Sequence, residues 1–206
     1  MQPTKNLPDT YVLDSTFDLK TNRKLLIGLN VIGLGLMVLF TWLFWQMVVW
    51  QRPEMNGSFS FSIKSIGSLL WGVVGFIFSM FLVLVLHEIV HGFFFWVFTK
   101  NRPLFGFKGA YAYAAAPDWY FPHGKYLVIG LAPLVVISLA GILLMPVFPL
   151  QWMWMLLVAL VLNASGAVGD LAVCAWLLLK RNPLLIRDFG DVIHIYAVES
   201  TPAAEV

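Results

Sequence analysis

Charged side chains are scarce in this chain. Lys, Arg, Asp and Glu account for 12% of its 206 residues, about half the share of an ordinary soluble domain. With 60% hydrophobic residues and a mean hydropathy of +0.81, it cannot clothe a water-facing surface of normal polarity. Cysteine is scarcer still. Cys174 is the only one, which excludes an intrachain disulfide framework and leaves it the role of a small apolar residue. Net charge is +2, too little to make nucleic acid an expected partner. Glutamate occurs only at Glu54, Glu88, Glu199 and Glu205, a shortage that limits the choice of metal ligands.

What the chain has instead is apolar sequence, in blocks longer than a soluble core requires. Four transmembrane helices are expected, at about 25–50, 65–98, 126–145 and 152–179. The fold class read from the sequence is therefore an all-α integral membrane protein. Its expected division is a polar tail over 1–24, a four-helix membrane domain over 25–180 and a second tail over 181–206. As one helix the second block would run about 50 Å, against a bilayer core of about 30 Å, so it must tilt, kink or protrude. Ser68, Gly72, Gly75 and Ser79 give it a small-residue face suited to close helix packing. Pro133 lies inside the third block and predicts a kink. In the loop after the second block, Asn101-Arg102-Pro103 should end the helix. Phe105–Ala114 then has an approximate period of two, which predicts a short extended or β-like segment. A further strand is expected at Val192–Val198.

The basic residues orient these blocks. Lys5, Lys20, Arg23 and Lys24 precede the first. Lys100, Arg102, Lys108 and Lys125 lie in the middle loop, and Lys180, Arg181 and Arg187 follow the last. Only Arg52 and Lys64 fall on the other side. An excess of Lys and Arg marks cytoplasmic segments, so both termini and the middle loop are expected in the cytoplasm of a multi-pass cell-membrane protein.

Inside the second block stands His87-Glu88-Ile89-Val90-His91. On a helix His87 and His91 share a face one turn apart, so both imidazoles can reach one metal ion, and Glu88 lies close enough to act on water there. A polar cluster packed inside a helix bundle is the alternative, but three ionisable residues within five positions are costly in a membrane without a partner. A catalytic zinc usually takes three protein ligands. An extension of the motif would need Gly and His at positions occupied by Phe94 and Val97, and the later glutamates lie only in the tail. Asp170 is the one acidic residue of the fourth block. No Lys or Arg lies within a span to pair with it, which favours a ligand role.

Two further observations favour Asp170. His91 lies nine residues before Lys100 and Asp170 ten before Lys180, which sets both roughly 14–15 Å from the cytoplasmic flank. Asn163, Gly166, Asp170 and Cys174 also form a polar and small stripe on an otherwise apolar helix. For Asn163, a bond to substrate or to the backbone and plain polar packing both stay open. His123, in the middle loop, is a candidate extra ligand or oxyanion donor beside the plainer reading of an interfacial histidine. His194 is expected to be solvent-exposed.

An intramembrane H-E-x-x-H with an aspartate on a later span resembles the site-2 protease clan of zinc metalloproteases. More closely, His87-Glu88-Ile89-Val90-His91-Gly92 together with Asn163-Ala164-Ser165-Gly166-Ala167-Val168-Gly169-Asp170 is similar to the compact four-span family described as putative zincin peptidases of bacteria. Most of 25–180 is covered by the resemblance. It departs from site-2 proteases at Asp170, which stands between Gly169 and Leu171 without the prolines typical there. The expected activity is zinc-dependent hydrolysis of peptide bonds in or near a membrane segment. Zn2+ would be held by His87, His91 and Asp170, with Glu88 as general base and a membrane-embedded protein as substrate. A zinc carrier, a sensor or a degenerate protease would use the same ligands without needing Glu88.

Overall fold

The computed structural model describes residues 1–18, 22–56, 65–107, 112–180 and 183–199. Lys20, Lys64, Lys108 and Arg181 of the charge count, and positions 109–111 of the loop, lie outside the described residues. The elements run in the order β1 (Tyr11–Asp18), α1 (Arg23–Gln51), α2 (Ile66–Thr99), β2 (Leu104–Phe107), β3 (Ala112–Ala115), β4 (Tyr120–Pro122), α3 (His123–Leu144), α4 (Met153–Gly166), α5 (Val168–Leu179), β5 (Leu184–Asp188) and β6 (Val192–Val198). Short 3-10 turns at Pro53–Met55 and Leu150–Trp152 complete it. Four helical segments are long and apolar enough to cross a membrane: Arg23–Gln51, Ile66–Thr99, His123–Leu144 and Leu150–Leu179.

Two expectations need correction. The chain is not all-α. Besides the expected β2–β3 hairpin and the strand at Val192–Val198, β1 and β5 form in the segments read as tails, and β4 forms before α3. The fourth apolar segment is also not one helix. It is interrupted at Ala167, between α4 and α5, where Gly166 and Gly169 supply low helix propensity on either side.

The chain divides into two compact units. The first comprises Met1–Ile27, His91–Ala132 and Asp170–Val206. Its centre is an antiparallel sheet in the order β1-β6-β5-β4. Strand alternation sends Phe121, Ile186 and Ile195 to one face, where they are fully buried with Phe95, Ile129 and Leu177. The opposite face carries Tyr120, Arg187 and His194, which are cross-strand partners. The Arg187 guanidinium lies over the Tyr120 and Phe189 rings. β1 slips register between Leu13 and Ser15, and Asp14 at this bulge bonds Lys180 just beyond α5.

The hairpin pairs Leu104 with Ala115 through Phe107 with Ala112. Its Phe105 ring lies where a side chain on Gly92 would otherwise be, so a larger residue after His91 would push this ring aside. α2 ends at Thr99 as expected. Lys100 adopts a left-handed φ of 56°, and the Thr99 hydroxyl donates to the Phe95 carbonyl at 2.8 Å. At the β5–β6 turn, Gly190 takes φ +92°, a value that favours glycine.

The second unit comprises Gly28–Val90 and Pro133–Gly169. Its core is Phe44, Val48, Met145, Met153, Leu160 and Ala164. Trp154 lies against Gly75, on the small-residue face of α2. Arg52 gathers the uncharged turn after α3: its Nη1 donates to the carbonyls of Met145, Pro146 and Phe148 at 3.0–3.2 Å.

Candidate metal centre

The histidine pair sits in the last third of α2, on uninterrupted helix. One turn of spacing puts His87 and His91 on the same side. Asp170 falls in the first turn of α5, where the N-terminal N–H groups and the helix dipole favour a carboxylate. The break at Ala167 is what gives Asp170 this position. His87, His91 and Asp170 each offer one ligand atom, and these atoms all lie within 4.8 Å of one another. Within that group His91 Nε2 and Asp170 Oδ2 are 3.5 Å apart. Ligands held 2.0–2.2 Å from a tetrahedral zinc are roughly 3.3–3.6 Å from each other. The His91–Asp170 separation falls in that range, His87 lies within 4.8 Å of both, and two imidazoles with a carboxylate are the donor set of a zinc site with an open fourth position.

The ring nitrogens are assigned by their other partners. His91 Nδ1 is 3.0 Å from the Ile129 carbonyl. A carbonyl only accepts, so Nδ1 carries the proton and Nε2 is the nitrogen able to coordinate. His87 Nδ1 is 3.1 Å from Asn163 Oδ1. The Asn163 amide is itself oriented, because its Nδ2 donates to the Pro133 carbonyl at 3.2 Å. That leaves Oδ1 to accept from His87 Nδ1, so that Nε2 is again the nitrogen able to coordinate. Asn163 is thus a buried support of His87.

Glu88 is half-buried on α2 beside His87. His123 opens α3 and is half-buried. Among the described residues it does not join the group of potential ligands. His194 is not the exposed residue expected of a tail. It is half-buried, with its ring 5.0 Å from Phe189 and 6.3 Å from Tyr196. Cys174 is buried and reduced, as its composition-level reading expects.

Sequence reasoning missed a buried pair in the first unit. The Tyr126 hydroxyl donates to Asp188 Oδ2 at 2.6 Å, and the Gly190 N–H donates to Asp188 Oδ1 at 2.6 Å. Burial raises the Asp188 carboxyl above its ordinary range, and Asp170 adds to the rise. The bonds from Tyr126 and Gly190, and the nearby His91, partly offset it. An Asp two residues before a Gly, at the end of an apolar strand, was the available signal.

Comparison with curated proteins and with solved structures returned no match. A family model described as "putative zincin peptidase" matches residues 80–184, about half the chain. The matched span opens seven residues before His87 and closes beyond Asp170, so it takes in the whole donor set together with Asn163 and Pro133. On that match the chain belongs to the putative zincin peptidase family, which implies a zinc-dependent peptidase with zinc as its cofactor.

Proposed function

We propose that this protein is an intramembrane zinc metallopeptidase that hydrolyses peptide bonds in or near the membrane segment of a protein substrate. The observation that carries the reading is the convergence of His87, His91 and Asp170 on helices apolar enough to cross a bilayer. His87, His91 and Asp170 would hold zinc. When bound, it supplies a Lewis acid that polarises the scissile carbonyl and makes water acidic enough to act as a nucleophile near neutral pH. Glu88 accepts the proton of the attacking water and passes it to the leaving amine. Asn163 and the Ile129 carbonyl hold the two imidazoles in the coordinating tautomer.

The sheet supports the proposed topology. β1 precedes α1, β4 lies between α2 and α3, and β5 and β6 follow α5, yet all four strands share one sheet. Four crossings with both tails and the middle segment on one side of a bilayer would bring these strands together in this way. The basic residues favour the cytoplasm for that side. Among the described residues β2 and β3 pair only with each other, so each keeps an outer edge to which an unwound substrate strand can add.

Two measurements test this. Glu88→Gln should keep near-stoichiometric zinc while lowering peptide cleavage by about 10²- to 10⁴-fold. A variant that retains full function would identify a carrier or sensor, and purified wild type without zinc would remove the metal reading altogether. Ala112→Pro should leave zinc content unchanged and abolish cleavage; unimpaired cleavage would count against strand addition.

A further inference from the structure

α3 contains a proline where a helix interior ordinarily excludes one. Pro133 has no N–H, so the carbonyl four residues earlier, that of Ile129, loses its helical donor. In an apolar segment such a carbonyl is costly unless another group takes over. Here the ring of His91 does, through Nδ1 at 3.0 Å. The imidazole has the complementary need, since a metal-ligating histidine requires an acceptor for its second ring N–H. Proline and histidine each supply what the other lacks. The Pro133 carbonyl has its own task, accepting from Asn163 Nδ2, whose Oδ1 faces His87. Two carbonyls one turn apart on α3 thus serve, one directly and one through Asn163, two histidines one turn apart on α2.

We propose that Pro133 is a positioning residue of the metal centre, which by lacking an N–H reserves the Ile129 carbonyl for His91 and so fixes the tautomer and aim of that ligand. A residue with an N–H at this position competes for the same carbonyl and weakens the hold on the ring. The inference rests on the metal-centre reading for its purpose, but the hydrogen bond exists in the metal-free chain and can be read without zinc.

The test compares the full-length protein with Pro133→Ala in detergent, with Pro149→Ala as a control for proline loss elsewhere. Pro133→Ala removes a helix-breaking residue, so loss of the helix is not expected. Histidine ¹⁵N spectra of the metal-free proteins report the His91 tautomer, and competition with a chelator reports zinc affinity. Wild type and Pro149→Ala should show His91 protonated at Nδ1. Pro133→Ala should shift His91 towards the Nε2-protonated form and bind zinc about 10- to 100-fold more weakly. An unchanged tautomer and unchanged affinity in Pro133→Ala would overturn the proposal. So would an affinity loss with an unchanged His91 spectrum, which would mark a general distortion of α3. The expected tautomer shift in a protein that binds no zinc would instead defeat the metal reading, and with it the purpose assigned to Pro133.

Discussion

The two units of this chain satisfy their polar groups in different ways. In the first, pairs of side chains are prominent, Tyr126 with Asp188, Lys180 with Asp14 and Arg187 with Tyr120, beside bonds to the main chain such as those of Thr99 and His91. In the second, most side-chain bonds end on main-chain carbonyls. Arg52 reaches Met145, Pro146 and Phe148, Asn163 reaches Pro133, Thr41 reaches Met37 and Ser165 reaches Val161. Side-chain pairs occur there too, among the described residues Arg52 with Glu54 and His87 with Asn163. A sheet unit with more charged residues can form pairs of charged or hydroxyl groups. Helices apolar enough to cross a membrane have few such groups, and those present find acceptors that the backbone already provides. The outer faces agree. α1 and the first part of α2 expose Val31, Leu34, Val38, Trp71, Val74 and Phe78, a surface suited to acyl chains.

Three variants would break or sharpen this contrast. Phe121→Ala should have the largest effect. Phe121 is fully buried between the sheet and the Phe95 and Tyr126 rings, and its truncation should cost about 3–5 kcal/mol in reversible unfolding. A loss below about 1 kcal/mol would mean that the sheet does not depend on that core. Arg52→Ala should come next, at about 2–3 kcal/mol, because several carbonyls of one turn lose a charged donor together. An effect no larger than that of removing a surface lysine would remove the distinction between the units.

The smallest effect belongs to Asp14. Its carboxyl is held below the ordinary value of 3.8, first by the bond from Lys180 and then by Ser15, with burial opposing. A lowered folded value means that the contribution is present above pH 3.8 and is lost as pH falls through the folded value. Because the pair is largely exposed, the contribution should stay below about 1 kcal/mol. Asp14→Asn should lower stability by that small amount throughout the range above about pH 5 and converge with wild type as pH falls through the folded value. Equal stability of the two proteins at pH 7 would show that the ion pair contributes nothing.

How much of this was legible in the sequence depended on how local the cause was. The four apolar segments, the end of α2 and the strand at Val192–Val198 follow from composition, breakers and periodicity within a few residues. Asp170 could be singled out because acids are so rare in the last apolar block. β1 could not be found this way. Its alternation is interrupted by the bulge at Asp14, and its partner strand lies at the other end of the chain. The break at Ala167 was hidden because Gly166 and Gly169 lie inside an apolar run long enough to read as one span, in which isolated glycines are tolerated. Pro133 read as a kink signal, since only the structure reveals which group takes over the carbonyl it leaves behind.

The pairing of β1 with β6 also sets an order of events. Tyr11 is made before every one of the apolar helices, and its partner Val198 after all of them. β1 must therefore wait through synthesis of each apolar helix before its β6 partner exists. Asp170 likewise is made long after the two histidines. Completion of the sheet and completion of the candidate donor set therefore both come after the apolar helix of the histidine pair, so a chain arrested before its final strands would lack the full sheet and, at an earlier arrest, Asp170 as well.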